Sequence, residues 1–99
     1  MKISFDDLHK AFESRIRLGI MSVLAVNDSM DFNALKEFLD ATDGNLATHI
    51  KKLEQEGFVE SNKSFIDNKP NTRYYMTAEG KDAFHNHLEV LEKIINSQK

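Results

Sequence analysis

The sequence has no cysteine among its 99 residues, and it has no long apolar run. The absence of cysteine excludes disulfide bonds, thiolate zinc sites and thiol redox sensing. No apolar run approaches the roughly 18 residues that a membrane-crossing helix needs. The opening residues MKISFDDLHK carry acids where a signal peptide has its apolar core. We therefore expect a cytoplasmic protein.

The residues that most enzymes need are also missing from the sequence. It shows no nucleophile beside an evident base, no glycine-rich loop for phosphates and no cluster of metal ligands. His85 and His87 lie two positions apart on a predicted helix, so their rings do not face each other. We therefore expect no catalysis, no metal site and no cofactor.

Length, composition and charge are those of one ordinary globular domain. A chain of 99 residues, 40% hydrophobic and 29% charged, has material for a single core and not for two. The net charge of −3 argues against a polyanionic partner, because affinity for nucleic acid comes largely from neutralised phosphates. The charge is uneven, however, since the stretch from Gly44 to Met76 holds five basic residues and four acidic ones. We treat residues 1–99 as one domain with a mildly basic middle.

Apolar residues recur at spacings of three and four from Phe5 to Val26, which predicts one long amphipathic helix. Its apolar face consists of Phe5, Leu8, Phe12, Ile16, Ile20, Val23 and Leu24. A polar turn follows, and Met30–Phe32 is predicted to form a very short strand. Asn33 is then predicted to cap a short second helix that ends near Leu39.

A third helix follows a tight turn at residues 40–41. Thr42 or Asp43 is predicted to cap this helix, which runs to about Glu56. Gly57 lies where a helix commonly ends in the left-handed conformation, and apolar residues follow it at once.

Beyond the third helix the apolar period shortens to that of a strand. Phe58–Ile66 and Thr72–Thr77 predict a β-hairpin whose loop has about five residues, Asp67–Asn71. Thr77 is predicted to cap a last helix over residues 77–97, whose apolar residues are spaced as in a coiled coil. This stripe consists of Phe84, Leu88, Leu91 and Ile95. It is long enough both to pack onto its own domain and to pair with a second subunit, so we expect it to mediate dimerisation.

The predicted order of elements is α-β-α-α-β-β-α, a mainly α fold with a β-hairpin wing. Two helices joined by a short turn are the geometry that holds a recognition helix in the major groove of B-DNA, which is about 12 Å wide. A hairpin directly after them, with its wing at residues 61–74, reaches the flanking backbone or the minor groove. The order therefore predicts a winged helix-turn-helix that binds double-stranded DNA, with residues 43–56 as the recognition helix.

The residue pattern of the third helix separates a buried face from a free one. Leu46, Ile50 and Leu53 form the buried stripe, with His49 at its edge. The opposite face carries amides and hydroxyls that can address base edges, and lysines that neutralise phosphates. The free amides at the helix N-terminus suit a phosphate as well. With the basic residues of the hairpin included, the predicted DNA-contacting residues are Thr42, Gly44, Asn45, Thr48, His49, Lys51, Lys52, Gln55, Lys63, Lys69 and Arg73.

Some of these residues have a plainer interpretation. Lysines on an exposed helix face are commonly only a solvated surface, and His49 either packs between helices or contacts a phosphate. Arg73 has an alternative partner in Glu60 across the hairpin. Tyr74 and Tyr75 are neighbours in a strand, so they point to opposite faces, one toward the core and one outward.

Two blocks of the sequence resemble a known family. TDGNLATHIKKLEQEGFVE at residues 42–60 and KPNTRYYMTAEGKDAF at residues 69–84 are similar to the winged helix regulators of the MarR/ArsR-like group, especially their short single-domain members. The resemblance extends from Phe5 to Ile95. It departs from the family pattern at Asn71, where a basic residue often follows the wing proline.

The resemblance implies a homodimeric transcriptional regulator, acting as a repressor, that reads a pseudo-palindromic operator. It also implies that a small-molecule effector can bind where the dimerisation helices meet the DNA-binding lobe. The apolar residues available there, Phe12, Ile16, Phe84 and Leu88, are better explained as core. The acidic total charge and Asn71 keep a second hypothesis open, a protein-interaction module built on the same scaffold.

Overall fold

The computed structural model describes residues 8–98, and its elements follow the predicted order. A 3-10 turn at Lys10–Phe12 precedes the α-helix that begins at Arg15. The helices are α1 (Arg15–Ala25), α2 (Phe32–Leu39), α3 (Asp43–Gln55) and α4 (Ala78–Asn96). The strands are β1 (Met30–Asp31), β2 (Val59–Ile66) and β3 (Lys69–Met76). The predicted mainly α fold with a β-hairpin wing is confirmed.

The first helix begins later than predicted. The hydroxyl of Ser14 accepts a hydrogen bond from the backbone N–H of Arg17 at 3.3 Å, which caps α1 and separates it from the 3-10 turn. Phe12 is buried in the core, but it belongs to the 3-10 turn and not to α1. The apolar spacing thus identified core residues correctly, but it did not show the break in the backbone. The predicted start at Phe5 lies outside the described residues.

Three of the predicted helix ends are confirmed and one is wrong. Thr42 Oγ1 accepts from the backbone N–H of Asn45 at 3.2 Å and caps α3, and Thr77 caps α4 in the same way. Gly57 follows α3 with a φ of 80°, in the left-handed region. The predicted cap at Asn33 is wrong. Asp31 caps α2, because β1 passes directly into the helix and the carboxylate of Asp31 accepts from the N–H of Ala34 at 2.7 Å.

The three strands form an antiparallel sheet in the order β1-β3-β2. The hairpin register places Val59 opposite Met76 and Ile66 opposite Lys69. The turn consists of Asp67 and Asn68 alone, with φ values of 52° and 65°. The predicted five-residue loop is therefore wrong, since Asp and Asn tolerate the left-handed conformation that a two-residue hairpin turn requires. Lys69 to Asn71 belong to β3, and Pro70 is tolerated because this half of β3 has a neighbouring strand on one side only.

The core lies where α1, α2, α3 and the base of the sheet meet. Its most completely buried side chains are Ile20, Met21, Leu35, Leu46, Leu53 and Val59. The start of α4 is fixed against this core by Gly80, whose missing Cβ leaves room for the carbonyl oxygen of Phe58. The Thr77 hydroxyl donates to the carbonyl of Gly57 at 2.6 Å, which joins the end of α3 to the start of α4. The position of α3 relative to the other helices is therefore set by buried contacts on several sides.

Candidate nucleic-acid interface

Helix α3 is buried on one face and exposed to solvent on the opposite face. Leu46, Ile50 and Leu53 are 0%, 2% and 0% exposed, so the predicted buried stripe is confirmed. The opposite face is exposed to solvent at Thr42, Gly44, Asn45, Thr48, Lys51, Lys52 and Gln55. His49 is half-buried at the edge of the stripe. The helix therefore presents one continuous polar surface on a rigid base.

A contact between α1 and α3 fixes one flank of this surface. Arg17 donates from Nε to the carbonyl of Ala11 at 2.7 Å, and its Nη1 lies 3.0 Å from Nδ1 of His49. Since a guanidinium can only donate, His49 Nδ1 is the acceptor and the ring proton is on Nε2. Burial, and then the charge of Arg17, lower the pKa of His49 below its ordinary value. The neutral form required by the hydrogen bond is thus the form that the surroundings favour.

Arg17 was missed in the sequence because nothing local links it to α3. It is 32 positions from His49 along the chain, and on its own helix it reads as one more solvated charge. In the fold it lines a shallow depression with residues of α3. The other lining residues are Thr48, His49, Lys51, Lys52 and Gln55.

An ion pair joins α2 to the start of α3. Lys36 Nζ is 2.8 Å from Oδ1 of Asp43, and both side chains are largely exposed. An exposed pair of this kind adds little stability. It does place a positive charge beside Asp43 at the N-terminal end of α3.

The basic residues of the hairpin divide into two groups. Lys63 and Lys69 are exposed on the wing. Arg73 is half-buried, and its guanidinium donates to the hydroxyl and the carbonyl of Ser29 at 2.8 and 3.1 Å. The alternative pairing of Arg73 with Glu60 is wrong, because the register places Arg73 opposite Asn62. Arg73 thus secures the base of the wing to the turn before β1.

The two tyrosines of β3 face opposite sides, as predicted. Tyr74 packs against the core, and Tyr75 donates from its hydroxyl to Glu60 at 2.6 Å. That hydrogen bond raises the pKa of Tyr75. Asn71, where the family pattern often has a basic residue, has its side-chain amide nitrogen shielded from solvent.

The wing tip carries two exposed apolar side chains next to its polar turn. Phe65 is 77% exposed and Ile66 is 54% exposed, directly before the two-residue turn. A hairpin so exposed has no core side chains beyond its base.

The apolar stripe of α4 divides between core and surface. Phe84 is buried and lies edge-on to Phe12, with ring centroids 5.5 Å apart. Leu88 and Ile95 are 45% and 61% exposed, and Leu91 is half-buried. Core packing is thus confirmed for Phe12 and Phe84, and Ile16 is partly buried against the same core. The core interpretation of Leu88 is wrong, because this residue lies on the exposed distal part of the stripe.

His87 and His85 lie on different sides of α4. His87 is buried, its Nδ1 accepts from the backbone N–H of His9 at 3.3 Å, and burial followed by the charge of His9 lowers its pKa. His85 is exposed, 3.1 Å from Glu89. Within residues 8–98 no three potential metal-ligating side chains are grouped closely enough to hold an ion. None of the helices in the same range has the length and apolar character needed to cross a bilayer.

The fold and the polar face of α3 together define a winged helix-turn-helix protein. The sequence profile of the winged helix DNA-binding domain matches residues 16–95. This chain therefore belongs to the winged helix DNA-binding domain family, and the resemblance inferred from its sequence is confirmed.

Individual relatives agree with this assignment. An uncharacterised protein of Methanocaldococcus jannaschii is 44% identical over 84 residues, which span 84% of this chain and 91% of that protein. The structure of a transcriptional regulator homologue from Pyrococcus horikoshii is 32% identical, covers 96% of this chain and 99% of its own, and superposes with a TM-score of 0.77. A structure named as a MarR-family transcriptional regulator of Enterococcus faecalis has the same fold, with 20% identity, a TM-score of 0.75 and coverage of 89% of this chain and 82% of its own.

Proposed function

We propose that this protein binds double-stranded DNA as a homodimer and represses transcription at a pseudo-palindromic operator. The observation that carries the proposal is the outer face of α3, which is polar, lysine-bearing and exposed along its whole length above a buried apolar stripe. A helix of this kind fits the major groove of B-DNA.

The side chains of α3 have distinct roles in this proposal. Asn45 and Gln55 have the donor and acceptor pair that recognises adenine in the major groove, and the Thr48 hydroxyl suits either a base or a phosphate. Lys51 and Lys52 supply charge that neutralises phosphates whatever the sequence. Base reading and backbone binding are thus separable by mutation.

The wing adds backbone contacts beside the groove. Lys63 and Lys69 are exposed on it, while Arg73 keeps its base in place through Ser29. We expect the two lysines to contribute affinity and little sequence preference, since phosphate contacts carry no direct sequence information.

Dimerisation through α4 supplies the second recognition helix. One protomer covers one half-site, and two half-sites lie about 34–36 Å apart on the duplex. Leu88, Leu91 and Ile95 leave apolar surface exposed on α4. Full burial of such side chains contributes about 1.5–3 kcal/mol each. Leu88 also lines a small depression with Ala25 and Met76, where a small-molecule effector would sit between α4 and the DNA-binding lobe.

The charges of α3 favour DNA over the protein-interaction alternative. An acidic outer face would suit a basic protein partner, but the middle of this face carries Lys51 and Lys52. The exposed acids lie toward the two ends of the helix, where Asp43 is paired with Lys36 and where Glu54 and Glu56 are found near the C-terminus. Phosphates are the partner that matches this surface.

Fluorescence anisotropy with genomic duplexes, measured at low and moderate salt, tests DNA binding. Lys51→Ala and Lys52→Ala should each weaken binding to every sequence and lower the salt dependence by about one phosphate contact. Lys93→Ala removes the same charge from α4 and serves as the control. Absence of salt-dependent binding by the unmodified protein would refute the proposal.

Base reading is tested on the same duplexes. Asn45→Ala and Thr48→Ala should change the ranking of sequences, with a cost of about 1–3 kcal/mol at the base pair that each side chain reads. Unchanged ranking for both variants would mean that another element reads the bases.

Sedimentation analysis tests the dimer. Leu88→Asp and Ile95→Asp should give folded monomers, because both side chains are exposed within one protomer. Phe38→Asp, at a side chain that is 73% exposed on α2, is the matched control and should stay dimeric. A protein that is monomeric before mutation would exclude the α4 interface.

A further inference from the structure

We propose that Arg17, a residue of α1 outside the two helices of the helix-turn-helix, holds a phosphate of the DNA backbone in the depression it forms with Lys51 and Lys52. This inference rests on the proposed DNA binding and extends it. It adds a backbone contact on the flank of α3 next to α1, at a residue that sequence reasoning did not select.

The guanidinium of Arg17 is already held in place. Its Nε donates to the carbonyl of Ala11 at 2.7 Å and its Nη1 to His49 Nδ1 at 3.0 Å. Each end of the contact is itself anchored, since Ala11 is buried and α3 rests on the core. An arginine on a surface ordinarily loses side-chain entropy when it binds, and a side chain that is already fixed loses less.

Both partners of Arg17 are neutral, so its charge is not compensated by them. No carboxylate lies within ion-pair distance of Arg17 among residues 8–98. A guanidinium has five N–H groups, and the two hydrogen bonds leave three of them for another acceptor. A half-buried cation with unused donors favours an anion with several oxygens as its partner.

The surroundings of Arg17 select the kind of anion. The depression is lined by two lysines, by Thr48 and Gln55, and by His49, whose remaining ring proton is a donor. It opens beside the outer face of α3, where the strand that borders the major groove would run. A phosphodiester of the bound duplex matches this set of donors. The two lysines supply positive charge, and the fixed guanidinium supplies a fork of parallel N–H donors, which phosphates prefer.

Matched arginine variants in the anisotropy assay test the contact. Arg17→Gln should weaken binding roughly tenfold for all sequences and lower the slope of log K against log salt by about 0.9 for each bound protomer. Arg15→Gln removes the same charge two positions away, at an exposed residue roughly 200° around the helix, and should leave the slope unchanged. Equal slopes for Arg17→Gln and the unmodified protein, or equal losses for the two variants, would overturn the inference. If the unmodified protein binds no duplex, both this inference and the proposed function fail.

The positioning role of His49 has its own readout. His49→Leu removes the acceptor and should weaken binding while the salt slope stays unchanged, because the charge of Arg17 is still present. His49→Gln retains an acceptor oxygen and should lose less affinity than His49→Leu. A leucine variant that binds no more weakly than the glutamine variant would contradict the role of His49 in positioning Arg17.

Interference by phosphate ethylation, on a duplex selected in the first assay, identifies the contact directly. One phosphate in each half-site should impair binding of the unmodified protein when ethylated and should not impair Arg17→Gln. If Arg17→Gln does not fold, as judged by circular dichroism, Arg17→Lys replaces it. That variant should keep the salt slope and lose affinity, because it keeps the charge and loses the fork. An ethylation pattern of Arg17→Gln identical to that of the unmodified protein would overturn the inference, and so would an Arg17→Lys variant that binds as tightly as the unmodified protein.

Discussion

Helix α3 and the wing both carry lysines, but the protein holds them in different ways. The underside of α3 is buried in the core, and its flank is joined to α1 through Arg17 and His49. The hairpin is exposed at every residue from 60 to 70, and there its strands are supported only by each other. The orientation of α3 is therefore fixed by the core. The orientation of the wing depends on the backbone hydrogen bonds between β2 and β3 and on the two-residue turn that joins them.

In the proposed DNA-binding function, this difference suits two surfaces of similar charge to different tasks. Reading base edges requires donors and acceptors held in register, which suits side chains on α3. Contact with phosphates tolerates a less rigid support, which suits Lys63 and Lys69 on the wing. Arg73 lies at the boundary, since its hydrogen bonds to Ser29 stabilise the base of the wing.

The largest expected difference between α3 and the wing is in the free energy of unfolding that is lost when one side chain of each is truncated to alanine. Leu53→Ala beneath α3 should lower the free energy of unfolding by about 2–5 kcal/mol, because Leu53 is 0% exposed. Phe65→Ala on the wing removes more atoms but should change it by no more than about 0.5 kcal/mol. Urea unfolding measures both. Equal losses would mean that the wing tip is covered by protein in solution.

Removing the cap of α3 should have a smaller effect. Thr42→Ala deletes the hydroxyl that accepts from Asn45 and should cost about 1 kcal/mol of stability in urea unfolding. Thr48→Ala makes the same chemical change on the exposed face and should cost nothing, since alanine is the better helix former. A cap variant as stable as the unmodified protein would show that water replaces the hydroxyl there.

A methyl group added on the outer face of α3 should raise the stability of the fold and lower the affinity for DNA. A Cβ at Gly44 meets nothing within 4 Å, so Gly44→Ala should stabilise the fold by roughly 0.5–1 kcal/mol. The same methyl group occupies the space where the DNA backbone would approach, so affinity for DNA should fall. Thermal unfolding and anisotropy on one sample measure both. Unchanged DNA affinity would place the duplex away from the N-terminal end of α3.

Acid should disturb the flank of α3 and the middle of α4 and leave the wing unaffected, and this is the smallest of the four expected changes. The pKa values of His49 and His87 are lowered from 6.5, so the unfolded chain takes up protons first as the pH falls. The contribution of these rings to the free energy of unfolding is fully present above pH 6.5. It is lost as the pH falls from there toward their lower pKa values in the folded state. No histidine occurs between Val59 and Met76.

Urea unfolding over this pH range measures the effect. His87→Gln should reduce the loss of stability on acidification, and Phe65→Ala, the wing variant, should show the same loss as the unmodified protein. Stability that does not change between about pH 7.5 and 5.5 would contradict the assigned neutral states of both rings.

The sequence alone predicted the structure best where the conformation of a short segment depends only on its own residues. The caps at Thr42 and Thr77 and the left-handed residue Gly57 were predictable, because each depends on atoms within a few residues. The cap of α2 and the hairpin turn were predicted wrongly for a related reason. Several polar residues near each site were acceptable. The pairing of β1 with β3 selected the cap of α2, and the pairing of β2 with β3 selected the turn.

The polar face of α3 was also predictable, since helical periodicity alone separates it from the stripe of Leu46, Ile50 and Leu53. The side-chain contacts between distant segments were not predictable. Arg17 contacts His49 across 32 positions, Arg73 contacts Ser29 across 44, and His87 contacts His9 across 78. Periodicity also treated Phe84 and Leu88 alike, although one is buried beside Phe12 and the other is exposed.

The sequence by itself determined the order of the elements, most of their ends and the polar side of α3, because hydrogen bonds and apolar spacing within a few residues specify all of these. Only the tertiary structure decided which charged side chains are fixed and which are free, and how far the core extends along α4. Those properties depend on distances between segments that are far apart in the chain, and no local pattern records them.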